Sequence, residues 1–199
     1  MSAVDIGAAE GDITGWIAER FREVEAIELM DTLHATLFER FESVEHVSVR
    51  RADIADQPLV GQSDVVFLLG VLHYFSSEHQ RRSILTHCLE HTGWLCFMRT
   101  GIRDFRLRDQ RQMELADRYT TLRTLLDMDP DGFDMCVIDN GYRGVKRKRL
   151  GDLAIYRRRA EGNPFPSLKE MFSCTRGYLH RGAVERRVCC DGDGDPVVY

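Results

Sequence analysis

Apolar residues in this chain come in short blocks whose spacing switches between two residues and three or four, the periods that separate strands from helices. Ala3-Val4-Asp5-Ile6 is a first strand, stopped by Gly7. The small residues of Gly7-Ala8-Ala9-Glu10-Gly11 make a turn. Ile13, Trp16, Ile17 and Phe21 then recur at helical spacing, with Asp12 placed to cap that helix. Val24–Ile27 is a second strand; Leu33, Leu37, Phe38 and Phe41 mark a second helix. Val47-Ser48-Val49 is a third strand. The unbroken run Val65–Leu69 reads as a central strand buried on both faces. Ile84, Leu85, Cys88 and Leu89 stripe another helix, Trp94–Met98 is a fifth strand, and Leu115, Tyr119, Leu122 and Leu126 stripe a long helix ended by Asp129-Pro130-Asp131-Gly132.

Beyond that breaker the alternation stops. Met135–Ile138 and Leu153–Tyr156 are two strands with no clear helix between them, hence an antiparallel pair. The order predicts an α/β, doubly wound, mostly parallel seven-stranded sheet with an antiparallel final pair. It occupies residues 1–160. Residues 161–199 read as a linker, Asn163-Pro164-Phe165-Pro166, and the start of a following domain, in which Arg186–Cys190 and Val197–Tyr199 form a hairpin. The first strand begins almost at residue 1 and the last stops at the end, so both ends, the N-terminal one above all, read as truncated.

The composition is that of a globular chain, 43% hydrophobic and 30% charged, and no apolar run approaches the ~20 residues of a membrane span. Six scattered cysteines without a CxxC pair suggest reduced thiols in a cytoplasmic protein. The net charge of −5 is unevenly placed: Met1–Met98 holds 7 Lys/Arg against 16 Asp/Glu, and Gly141–Arg187 holds 13 against 4. The basic part is either a solvated strand pair or a face for something anionic, such as phosphate, nucleic acid or a membrane surface.

The chemistry starts at the first turn. Small residues at 7, 9 and 11 let a ligand approach the backbone, and the following helix presents unpaired N–H groups. Glu28, at the end of the next strand, can accept hydrogen bonds from two ribose hydroxyls.

Asp5-x-Gly7-x-Ala9-x-Gly11, Glu28, Ala52-Asp53-Ile54 and Asp64-Val65-Val66-Phe67-Leu68-Leu69-Gly70-Val71-Leu72-His73-Tyr74 together resemble the class I S-adenosylmethionine-dependent methyltransferases. The resemblance covers about residues 3–158, with four motifs in family order at strand ends. It implies that Asp5, Gly7, Ala8, Ala9 and Gly11 hold the methionine moiety of S-adenosylmethionine. Glu28 and Leu29 would meet the ribose, Asp53 and Ile54 the adenine, and Gly70 and Val71 would line the cofactor below the acceptor. Ala9 stands where the family has Gly, which fits a negative φ. More loosely, the tail makes the chain similar to bifunctional methyltransferase–kinases that cap O-antigen polysaccharides, which implies a fused kinase-like domain.

Transfer from a sulfonium needs the acceptor positioned, and an oxygen acceptor also needs a base. His73 and Tyr74, just past the fourth strand, are the candidates, because imidazole titrates near neutrality. Arg99 and Arg103, after the fifth strand, suit an anionic acceptor. His87, Cys88, His91 and Cys96 are ligand types, but Cys88 falls on an apolar stripe and Cys96 inside a strand, so core packing is expected and no metal. Asp191-Gly192-Asp193-Gly194-Asp195 has Pro196 where a calcium loop needs Gly, and reads as a turn. Lys146-Arg147-Lys148-Arg149 reads as an exposed hairpin rather than a nucleic-acid patch.

The expected function is methyl transfer to a hydroxyl or amine of a small molecule or glycan. The alternatives are a nicotinamide-dependent oxidoreductase, which shares the turn and the strand-end acid, and a non-catalytic cofactor- or partner-binding module of the same fold.

Overall fold

The computed structural model describes residues 1–75, 77–99, 132–138, 153–159, 178–181, 189–190 and 196–197. Arg103, the helix expected over 115–126, the basic run 146–149 and the turn 191–195 lie outside the described residues.

The main sheet contains β1 (Ser2–Ile6), β2 (Glu23–Glu28), β3 (Val47–Arg51), β4 (Ser63–Leu68), β5 (Thr92–Arg99), β6 (Phe133–Ile138), β7 (Leu153–Arg158) and β8 (Tyr178–Arg181), in the order β3-β2-β1-β4-β5-β7-β6-β8. The first five strands pair in parallel. β7 is antiparallel to both β5 and β6. The seven expected strands are present, with the expected directions. The pattern puts residues 161–199 outside the sheet, and here the structure differs: β8 pairs antiparallel with the outer edge of β6. A four-residue strand is too short for alternation to announce it. β9 (Cys189–Cys190) and β10 (Pro196–Val197) form a separate antiparallel pair.

Alternation sorts the strand residues onto two covered faces. Val4, Ile6, Val66, Leu68, Cys96, Met98 and Tyr156 pack with Ile84, Leu85, Cys88 and Leu89 of α3 (Glu78–Glu90). Ala3, Val24, Ala26, Val65, Phe67 and Leu95 pack with Ile17 of α1 (Asp12–Ala18) and with Leu37 and Phe41 of α2 (Asp31–Phe41). Cys88 and Cys96 are buried free thiols packed in the core, and burial pushes the Cys96 thiol up to about 12. α3 opens with a capping box, Ser77 Oγ accepting from Gln80 N–H and Gln80 Oε1 accepting from Ser77 N–H.

α1 differs from its expected form. It presents Thr14 and Ile17 to the sheet and leaves Ile13 (42% exposed) and Trp16 (51%) outward. Arg20 lies over the Trp16 ring at 4.2 Å, which partly covers it. Asp12 does not cap. Gly11 takes the cap position in the left-handed region, and Asp12, the first helical residue, pairs with Arg40 at 2.8 Å.

The sheet order reverses between β1 and β4, and in open α/β sheets ligands collect at the C-terminal strand ends beside such a reversal. If β8 is integral to the sheet, ending the chain at Arg159 strips four paired residues from β6. At about 1 kcal/mol net per hydrogen bond, the melting temperature should fall by about 10 °C. An unchanged melting temperature by calorimetry would mean that β8 adds nothing to the sheet.

Candidate functional site

The turn after β1 is tied down by its own backbone. Gly7 and Ala8 N–H both donate to Ile27 O, at 2.8 and 3.0 Å, and Gly11 N–H donates to Ala8 O at 2.9 Å. Gly7, Ala9 and Gly11 all have positive φ, of 72°, 50° and 85°. Position 7 has no room for a side chain, because a Cβ would collide with the Val71 side chain. At position 11 a Cβ would run into Phe41 and Leu37. The expected negative φ at Ala9 is corrected: the loop needs a left-handed residue there, and Ala9 adopts it at a cost of about 1–2 kcal/mol.

Glu28 closes this turn from the side. The residue is 7% exposed, and its carboxylate accepts from Ala9 N–H at 2.9 Å, Leu29 N–H at 2.8 Å and Met30 N–H at 2.9 Å. A carboxylate has about four acceptor positions, so capacity for one further donor remains. Leu29 and Met30 are exposed at the rim.

Asp5 lies beneath the turn at 2% exposure, and Thr14 Oγ1 donates to its Oδ2 at 2.6 Å. Burial pushes the Asp5 carboxyl up to about 6. The Thr14 bond opposes that shift and the Glu28 charge adds to it. Thr14 was not visible in the sequence as a site residue. Its one signal is a polar side chain on the inward turn of α1.

At the end of β3, Asp53 Oδ1 accepts from Ala55 N–H at 2.9 Å, an Asx turn that orients the carboxylate. Ile54 is buried with Leu59 and Leu72 in the core. At the end of β4, Gly70 has φ 74°, and open space lies where its Cβ would stand. Val71 reaches across to Gly7, so the ends of β1 and β4 touch. Leu72–Tyr74 is a single 3-10 turn anchored by buried Leu72. The His73 ring is half-buried against Tyr74, with centroids 4.1 Å apart, while Tyr74 itself is 78% exposed. Burial lowers the His73 pKa from 6.5, which keeps the imidazole neutral at physiological pH. Arg81 of α3, itself buried, donates to Phe75 O at 2.7 Å and holds this segment. The structure therefore brings Asp5, the turn, Glu28 and Val71 into one connected unit, and sets Asp53, Gly70 and His73 at the same sheet edge.

Residues 3–92 match a family model described as a methyltransferase domain. That match spans just under half of the 199-residue chain. The N-methyltransferase NodS from Bradyrhizobium japonicum WM9 is similar in structure, with a TM-score of 0.64 at 17% identity, covering 80% of this chain and 86% of that one. A magnesium protoporphyrin IX methyltransferase from Synechocystis PCC 6803, solved with bound SAM, gives 0.53 at 15% identity over 78% and 69%. Phosphoethanolamine N-methyltransferase 1 of Haemonchus contortus, in complex with phosphoethanolamine and S-adenosylhomocysteine, gives 0.62 at 16% identity, over 87% of this chain and 42% of that one. At such identities the likeness is one of fold. A search of curated proteins found no match. Two of the three similar structures hold SAM or S-adenosylhomocysteine. The antiparallel β7 set between β5 and β6 also departs from the six-stranded parallel sheet of a nicotinamide dinucleotide domain. No helix among the described residues is long and apolar enough to cross a membrane.

Two outcomes follow from this geometry. Ala9→Gly relieves the left-handed strain but gives the unfolded chain more freedom, so stability by chemical denaturation should rise by about 0.5–1 kcal/mol. Loss of stability would mean that Ala9 is unstrained. For Asp5, a raised pKa means that stability from the neutral carboxyl is present below about pH 4 and is lost as pH rises through about 6. Asp5→Asn keeps an acceptor for Thr14 and no charge. Its melting temperature should match the parent's near pH 4 and exceed it at pH 7.5, by up to about 3 kcal/mol of stability. A constant difference across that range would exclude Asp5 as the titrating group.

Proposed function

We propose that this chain transfers a methyl group from S-adenosylmethionine to a hydroxyl or amine of a small molecule or glycan in the cytoplasm. The observation that carries the reading is the turn of Gly7, Ala9 and Gly11, pinned to Glu28 at the β1–β4 reversal, with open space above Gly70. The residues present fit the cofactor. Glu28 keeps one acceptor position for a ribose hydroxyl, Asp53 has a second carboxylate oxygen for an adenine amino group, and the absent side chain at Gly70 leaves its backbone approachable. α1 has only seven residues, so the turn's own backbone, more than a helix dipole, would receive the methionine end.

When bound, S-adenosylmethionine supplies an already activated methyl on a sulfonium. The protein's work is then to orient the acceptor and, for a hydroxyl, to remove its proton. His73 is neutral and can take that proton, and Tyr74 presents a ring and a hydroxyl at the rim. Arg99, at the end of β5 on the same edge, gives an anionic acceptor a counter-charge. Two of the three similar structures named above carry N-methyltransferase in their names, which supports amines among the acceptors.

Calorimetric titration decides the cofactor. S-adenosylhomocysteine should bind and NAD should not. Glu28→Ala should cost about 1–3 kcal/mol of that affinity, since it removes a charged acceptor. Unchanged binding in folded Glu28→Ala protein would remove Glu28 from the site. With a hydroxyl acceptor in hand, His73→Gln should slow single-turnover transfer by about 10²–10⁴-fold. The parent rate should stay flat above pH 6.5 and fall below it, as the lowered pKa requires. A rate within about threefold of the parent, in protein that melts normally, would eliminate His73 as the base.

A further inference from the structure

The last turn of α3 carries a second constellation, away from the candidate site. His87 and His91 are four residues apart, on one helix face, with ring centroids 4.2 Å apart. Glu90 stands beside them, and one ligand atom from each of the three lies within 4.8 Å of the others. The His91 ring is already oriented. Its Nδ1 lies 2.9 Å from the His87 carbonyl, which only accepts, so Nδ1 carries the proton and Nε2 keeps a lone pair. Ligating histidines are set by this kind of bond. His87 differs, because Leu59 N–H donates to its Nε2 at 2.9 Å.

We propose that His87, Glu90 and His91 bind a divalent transition cation of the zinc and nickel class, and that this cation competes with Leu59 N–H for the His87 ring. Two imidazoles and a carboxylate are donors suited to those ions, with water completing the shell. The competition follows from the chemistry of the ring. A neutral imidazole has one in-plane lone pair, and Leu59 N–H is using it. Ligation through Nε2 displaces that N–H. Ligation through Nδ1 moves the ring proton to Nε2 and sets it against the same N–H. Either way the cation costs the Leu59 bond. Leu59 is itself buried in the core beside Ile54, so the effect stays local to the segment between β3 and β4, which begins with Ala52 and Asp53. The Arg158 guanidinium already occupies the Leu89 and Glu90 carbonyls, so the cation meets the three side chains and not the helix end.

The test uses the full chain and nickel ions, because nickel favours imidazole over the thiolates that the six cysteines could offer zinc. Titration calorimetry at pH 7.5 should show a site whose affinity falls at least tenfold in His91→Ala and severalfold in Glu90→Gln. Hydrogen exchange at the Leu59 amide should accelerate at saturating nickel in the parent and stay unchanged in His91→Ala. Should His91→Ala fail to fold, Glu90→Gln, at an exposed position, carries the comparison. Equal affinity in parent and folded variants, or nickel binding that leaves the Leu59 amide protected, overturns the proposal. None of these readouts depends on cofactor binding, so their failure leaves the methyltransferase reading untouched.

Discussion

The side chain of Glu28 takes hydrogen bonds from three backbone N–H groups at a place where no ladder or helix can satisfy them: Ala9 in the turn, and Leu29 and Met30 at the entrance to α2. A hydrogen bond to a charged group contributes roughly 1.5–3 kcal/mol net, and this carboxylate accepts three. It also fixes the turn to β2, because Gly7 and Ala8 donate to Ile27 O one residue earlier. The shape of the candidate site is therefore a consequence of β1 and β2 lying side by side in parallel register, Ile6 opposite Ile27.

A second carboxyl lies directly below. Asp5 is buried and accepts a hydrogen bond from Thr14, in the first turn of α1. Together the acids hold the loop from two sides, Glu28 by its backbone and Asp5 by the helix that follows. The arrangement carries a cost that a purely structural loop would avoid: a buried carboxyl near a second one, and Ala9 in a left-handed conformation. Local conflicts of this kind collect at functional sites.

The sequence carried most of the sheet. The unbroken run Val65–Leu69 reads as a central strand because β4 is covered on both faces, and the lack of a helical apolar period in the sequence between Ile138 and Leu153 points to the antiparallel pair that β6 and β7 form. What it hid were matters of orientation. α1 is seven residues long, too short for its period to be fixed, so Ile13 and Trp16 counted as core when Thr14 and Ile17 are. Asp12 has the chemistry of a cap, but the turn delivers Gly11 to the cap position with φ 85°. β8 is four residues in a segment without periodicity. In the candidate site, the sequence placed the turn and Glu28 at neighbouring strand ends, whereas the engagement of Glu28 with N–H groups was not legible, because it depends on where a turn places three amides in space.

The contact between Gly7 and Val71 links the two halves of the site. Gly7 belongs to the turn after β1; Val71 opens the segment that carries His73 and Tyr74. The absent side chain at position 7 is filled by Val71, so the two segments are packed at van der Waals distance rather than separated by water. Leu72 in the core and Arg81 on the Phe75 carbonyl then fix the far side of the 3-10 turn. A methyl donor and a base must be held to within a fraction of an ångström for in-line transfer. On the proposed reading, the contact between Gly7 and Val71 fixes that relation between neighbouring strand ends.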